Sequence, residues 1–173
     1  MHILIISHSG CGKHELIEDI LSQLNKPIWG YETVKEDSLA QDGLGSPIYI
    51  YEAGLPHVRT DENLAGYCLN HHARTFPEAF DRFAQKLRRP VPNGHLILLN
   101  EIGPMESKSA AFCTAVMSLL DGASPVLAAV RDKDTAFLHA VRSHPNCKCF
   151  RLCTDNRAQI TAEAVKYLQE AFQ

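Results

Sequence analysis

The sequence predicts an α/β fold: a mostly parallel central sheet with helices on both faces. Three observations carry this. Apolar runs at residues 2–7, 95–99 and 125–130 lack the alternation of a half-exposed strand, so they read as buried parallel strands. A stretch with helical apolar spacing follows each of them. A glycine-rich turn, Gly10-Cys11-Gly12, joins the first strand to the first helix. Strands alternating with helices over 173 residues fit one domain, residues 1–173, with a sizeable core.

Taken in order, the first helix is expected from Gly12 to Leu24, with Leu16, Ile17, Ile20, Leu21 and Leu24 on its core face. Asn25-Lys26-Pro27 ends it. Ile28–Val34 and Ile48–Tyr51 read as two strands around the turn cluster Gln41–Pro47, an antiparallel hairpin inserted after the first βα unit. Residues 61–75 carry no clear period and read as loop with some short helix. Thr75 to Leu87 has Phe76, Phe80, Phe83 and Leu87 at helical spacing, and Thr75 with Glu78 suits a capping box. The strand His95–Leu99 ends in Asn100-Glu101, and a helix with Phe112, Val116, Leu119 and Leu120 follows. After the strand Pro125–Val130 come a helix near Asp134–Arg142, a strand over Lys148–Cys153 and a last helix with Ile160, Ala164, Leu168 and Phe172.

Composition narrows the function classes. Apolar residues make up 45% and charged residues 21%, and the net charge is −3, so no extended nucleic-acid or membrane surface is expected. The start of the chain is apolar for only five residues and lacks a basic segment, unlike a signal peptide, and no run is long enough to span a bilayer. Six cysteines in such a chain read as reduced thiols, and the expected location is cytoplasmic.

The turn after the first strand carries the chemistry. Ser7-His8-Ser9-Gly10-Cys11-Gly12-Lys13-His14 half obeys the phosphate-loop pattern G-x-x-x-x-G-K-[ST]. Glycines let successive N–H groups face an anion, the helix start adds partial positive charge, and a lysine reaches the β- and γ-phosphates. Ser9, Gly10, Cys11, Gly12, Lys13 and His14 are therefore the candidate phosphate contacts. Ser7 stands where the first Gly belongs and His14 where Ser or Thr belongs. Such a loop needs a second strand ending in an acid for the metal and a Glu for the attacking water. Leu96–Leu99 delivers Asn100-Glu101: the Glu is present, the metal-binding Asp is Asn. His14 and Asn100 are thus the candidate metal ligands. Ser7–Lys13, Asn100-Glu101, Arg131 and Thr154 all fall at carboxyl ends of expected strands, where ligands sit in such sheets.

Asn100-Glu101-Ile102-Gly103-Pro104-Met105-Glu106 resembles the Asp-Glu-Ile-Gly-Lys-Met-Glu signature of a small P-loop nucleoside-triphosphatase family, found in thermophiles and also described as cancer-related nucleoside-triphosphatase. Gly30–Glu36 is similar to its Gly-Phe-Tyr-Thr-Glu-Glu segment, Pro125–Val130 to its Pro-Val-Leu-Ala-Thr-Val strand and Thr154–Arg157 to its Thr-x-Asn-Arg segment. The resemblance covers almost the whole chain and is weakest over residues 55–75. It implies the three-layer α/β/α fold of P-loop NTPases and hydrolysis of the γ-phosphate of ATP or GTP with Mg²⁺. It implies catalytic roles for Lys13 and Glu101 and places Asn156 and Arg157 near the nucleotide. Arg131 reads as a solvated surface arginine or a stabiliser of transition-state charge.

The departures bear on the metal. Mg²⁺ takes oxygen ligands in octahedral geometry. The His14 imidazole suits Mn²⁺, Zn²⁺ or Ni²⁺ better, and Asn100 keeps an oxygen without the charge. Two other readings therefore stand beside the hydrolase: a nucleotide- or phosphate-binding regulatory module without turnover, and a nucleoside or nucleotide kinase with its acceptor pocket in residues 55–75. Cys147, Cys149 and Cys153 with His144, and Cys68 with His71 and His72, have weak metal-site spacing, and buried small thiols are the plainer reading. Cys11, near a helix start, is a candidate for a lowered pKa and alkylation. Trp29 reads as packing.

Overall fold

The computed structural model describes residues 1–8 and 10–173. The strands are β1 (His2–Ser7), β2 (Ile28–Lys35), β3 (Ser46–Glu52), β4 (Leu64–Leu69), β5 (His72–Thr75), β6 (Leu96–Ile102), β7 (Val126–Arg131) and β8 (Cys147–Arg151). The helices are α1 (Lys13–Leu24), α2 (Pro77–Leu87), α3 (Ala110–Asp121), α4 (Ala136–Arg142) and α5 (Arg157–Ala171). All eight strands form one sheet in the order β5-β4-β3-β2-β6-β7-β1-β8. The five strands from β2 to β8 in that order are parallel, and β3, β4 and β5 extend the sheet antiparallel.

Strand alternation sorts the core into two layers. Leu4, Ile6, Tyr31, Ile97 and Leu99 face α2 and α3, where Phe80, Phe83, Phe112 and Val116 are buried. Ile3, Ile5, Leu96, Leu98 and Ala129 face α1 and α5, meeting Leu16, Ile17, Ile20, Ile160 and Leu168. The fold is the expected α/β/α sandwich. Trp29, as expected, packs against the first layer.

The antiparallel part is larger than a hairpin. β2 pairs β6 in parallel and β3 in antiparallel fashion, so it belongs to the main sheet and turns its direction. Residues 61–75, expected as loop and short helix, instead contain the whole of β4 and β5. Leu69 pairs His72 across the two-residue turn Asn70-His71, and both turn residues have positive φ (48° and 65°). That is a tight hairpin turn of the primed type, hidden because its second residue is not glycine. The expected capping box is absent as well. Thr75 ends β5, Phe76 precedes α2 without a side-chain cap, and Pro77 opens the helix. β8 stops at Arg151, so Cys153 lies past the strand and does not share its face with Cys147 and Cys149. Among the described residues no group of three or more His, Cys, Asp or Glu gathers as a metal cage.

Gly30 fixes how closely β2 approaches β6. Its φ is 136°, and a Cβ there would lie 2.1 Å from the Leu98 carbonyl oxygen. Gly30→Ala is therefore expected to destabilise the protein by about 2–4 kcal/mol through overpacking and backbone strain. A urea midpoint lowered at unchanged slope would record it, and an unchanged midpoint would refute it.

Candidate active site

The site is built on the carboxyl ends of β1, β6 and β7. After β1, Gly10 (φ 77°) and Gly12 (φ 74°) take left-handed conformations that turn the chain into α1. Among the described residues no side chain caps the start of α1. Its first N–H groups are thus left for an anion, as at other helix starts of this kind. Ser9, one of the candidate phosphate contacts, lies outside the described residues.

Lys13 and Glu101 are 88 residues apart in sequence, and the Lys13 ammonium donates to Glu101 Oε2. Arg131 approaches the other oxygen of the same carboxylate, Nη1 to Oε1 3.5 Å. Arg131 is thus part of the site and not a solvated surface arginine. The Glu101 backbone is fixed from β2: its N–H donates to Thr33 Oγ1 (3.3 Å), and its carbonyl accepts from the Tyr31 hydroxyl (3.1 Å). Tyr31 is fully buried, edge-on to Phe112 at 5.0 Å, so the core holds that hydroxyl in place.

Burial, and then the nearby Arg131 cation, pushes the Lys13 ammonium down to about 8, with Glu106 and Cys11 acting against the shift. The contact with Glu101 also favours the charged form, so Lys13 is a cation at neutral pH. Glu106 lies beneath. It is 3% exposed, and its Oε2 accepts the Gly103 N–H at 2.9 Å. Burial pushes its carboxyl up to about 7, opposed by backbone hydrogen bonds and by Arg131 and Lys13.

This buried carboxyl sets a pH dependence. The folded pKa is above the ordinary 4.5, so between about 4.5 and about 7 the folded chain holds a proton that the unfolded chain releases. Stability is fully present below 4.5 and falls as pH rises through 7, by on the order of 3 kcal/mol. Glu106→Gln keeps the acceptor for Gly103 and is expected to flatten that slope in urea midpoints taken from pH 4.5 to 8. A slope unchanged in the variant would assign it elsewhere.

The remaining candidates divide. His14 is exposed on the first turn of α1. Asn100 continues the Leu96, Leu98 face of β6 and so points toward α1 and the loop. Asn156 accepts from the Cys153 N–H (2.8 Å) and donates to the Arg151 carbonyl (2.8 Å), closing the turn between β8 and α5. Arg157 grips Asp19 of α1, Nη2 to Oδ2 2.6 Å. The side chains of these last two are engaged in joining α5 to its neighbours. Ser7 follows Ile3 and Ile5 on the α1 face, and its hydroxyl is buried without a partner among the described residues.

A model of the NTPase family matches residues 2–165 of the chain. The chain belongs to the NTPase family. Among relatives, the nucleoside-triphosphatase THEP1 of Methanopyrus kandleri is 27% identical over 97 residues, 55% of this chain and 54% of that one, so the match spans about half of that relative. The nucleoside-triphosphatase THEP1 of Thermotoga sp. strain RQ2 is 24% identical over 171 residues, 98% of this chain and 96% of that protein. The crystal structure of THEP1 from Aquifex aeolicus superposes with a TM-score of 0.67 at 23% identity, over 98% and 99% of the two chains, a likeness of fold. At the site this NTPase-family chain carries Gly12-Lys13, Glu101, His14 and Asn100. Sequence reasoning gave no role to Glu106. Its signal was available as the last residue of the Glu-Ile-Gly-x-Met-Glu segment, where only a buried carboxyl binding Gly103 explains a charge under the sheet end.

Proposed function

We propose that this NTPase-family chain is a nucleoside-triphosphatase that hydrolyses the γ-phosphate of ATP or GTP. We place it in the cytoplasm, as a single domain. One observation carries the reading: Lys13 from the start of α1, Glu101 from the end of β6 and Arg131 from the end of β7 meet beside the Gly10–Gly12 turn. A cation for the phosphates, a carboxylate for water and a second cation for developing charge are the groups that phosphoryl transfer to water needs. Gly10, Cys11 and Gly12 cradle the phosphates with backbone N–H groups. A bound triphosphate draws Lys13 onto its β- and γ-oxygens, and Glu101 is released to orient the attacking water. Arg131, 3.5 Å from the same carboxylate, would share the charge that spreads over the γ-phosphoryl oxygens.

The donors suit a hard divalent cation, and we propose Mg²⁺, with Mn²⁺ as the alternative. Such an ion binds through one or two protein side chains plus substrate phosphates and water, so no all-protein cage is needed. Asn100, with the buried Ser7 hydroxyl, offers oxygens on the loop face, and His14 offers a nitrogen. When bound, the ion neutralises phosphate charge. A neutral Asn100 lowers that contribution. A loss of about 2–4 kcal/mol of transition-state stabilisation costs roughly 30- to 1000-fold in rate. The pair His14 and Asn100, which brings no carboxylate to the ion, also favours the second reading, a nucleotide-binding module without turnover.

Phosphate release from ATP and GTP, with Mg²⁺ and with Mn²⁺, separates the two. Release that depends on Lys13 and Glu101 supports the hydrolase. Calorimetric binding without release supports the module, and neither binding nor release overturns both.

A further inference from the structure

The carboxylate missing at Asn100 has a neighbour. Glu32 of β2 is the register partner of Asn100 on β6. The two strands are parallel and about 4.8 Å apart, so residues paired across them point to the same face. For Asn100 that face is the loop face, shared with Leu96 and Leu98. Ile28, four pairs earlier on β2, packs against the same layer, in phase with Glu32. The next residue, Thr33, binds the Glu101 N–H, so this part of β2 is already fixed against the catalytic strand end. The Glu32 side chain is 20% exposed, and its described partner is His57 Nε2 at 3.3 Å. His57 comes from the loop after β3 and stacks on Tyr51 at 4.0 Å. Ser7, the next residue after Ile5 on that face of β1, has a buried hydroxyl that no described group satisfies.

From this the geometry points to Glu32 as the anionic ligand, direct or through water, of the divalent cation bound with the nucleotide, its carboxylate taking over from β2 the charge that Asn100 lacks on β6. The inference rests on the triphosphate reading above and names where its metal charge comes from. Glutamate is one methylene longer than aspartate, which extends its carboxylate toward the Asn100 amide paired with it on the same face. Asn100 then supplies a neutral oxygen and Glu32 the charge. Glu36 is a weaker candidate, since its carboxylate accepts from the Tyr51 hydroxyl at 3.1 Å. Loading the site competes with the His57 contact, so the loop after β3 loosens when the cation binds.

The test uses the full chain with the non-hydrolysable β,γ-imido analogue of ATP, titrated by calorimetry with Mn²⁺ and again in chelator. The readout is the factor by which Mn²⁺ tightens nucleotide binding. For Glu32→Gln that factor is expected to fall roughly 10- to 100-fold, the scale seen when a group supporting a metal is removed. Affinity in chelator stays within about twofold of native. Asn100→Asp added to Glu32→Gln is expected to restore the factor, since it returns the charge to β6. His57→Ala, which removes the other partner of Glu32, is expected to keep or raise it. Thermal melting of each variant identifies any that fails to fold, and Glu32→Ser with Asn100→Asp then repeats the exchange with a short polar side chain. An unchanged factor in Glu32→Gln overturns the inference, as does an equal loss in His57→Ala, which would make Glu32 a strap for the loop alone. A native chain that binds the analogue in neither condition overturns the triphosphate reading first, and the inference with it.

Discussion

Glu101→Gln is expected to lower ATP turnover by about 10²–10⁴-fold, the range for removing a positioned general base. The nucleotide should bind as tightly as before or tighter. The reason lies in the contacts of the Glu101 carboxylate, which holds the Lys13 ammonium and sits 3.5 Å from Arg131. Each cation must leave or share that carboxylate when phosphates arrive. A neutral amide of the same shape frees both cations and removes a negative charge from beside an incoming polyanion. Single-turnover phosphate release measures the first effect and calorimetry the second. Turnover within about threefold of native would remove Glu101 from the reaction. A large loss of affinity would mean that its charge organises the cradle and does not act on water.

Lys13→Ala carries the other large effect. Losing one preorganised charge at the transferring phosphoryl group costs about 10²–10³-fold in turnover. Here affinity should fall as well, because the ammonium touches phosphate in the ground state too. The variant also leaves Glu101 a partly buried carboxylate with Arg131 as its remaining close cation. Lys13→Arg is not expected to rescue, since a planar guanidinium fork does not reproduce the compact point charge of an ammonium. Phosphate release and nucleotide affinity are measured together. Activity in Lys13→Ala within about threefold of native would sink the proposed chemistry.

The two variants separate the hydrolase from a silent binding module. In a hydrolase, Glu101→Gln uncouples binding from turnover and Lys13→Ala weakens both. In a module without turnover, the affinity changes remain and there is no rate to lose. The Glu106→Gln pH series adds an independent check on the same pocket, because it reads stability and needs no substrate.

Residue pattern alone determined the parallel core and the loop. Short unbroken apolar runs such as Ile3–Ile6 and Leu96–Leu99, bounded by turn residues, fit a strand covered on both faces. Gly10 and Gly12 before Lys13 also left little choice, because consecutive left-handed turns favour glycine. Lys13 and Glu101 were therefore legible as candidates before their contact was known. Tertiary structure decided what depends on partners distant in sequence. β4 and β5 were hidden because their turn, Asn70-His71, adopts positive φ without glycine, which pairing across the strands stabilises and local propensity does not announce. Arg131 changed from surface charge to site residue because β7 lies next to both β6 and β1. Glu106 stood in the sequence as the last residue of the Glu-Ile-Gly-x-Met-Glu segment, but its burial beneath Gly103 did not show there, and Glu32 came forward through its register with Asn100. A strand's own sequence fixes which face a residue takes. Only the neighbouring strand decides what that residue meets there.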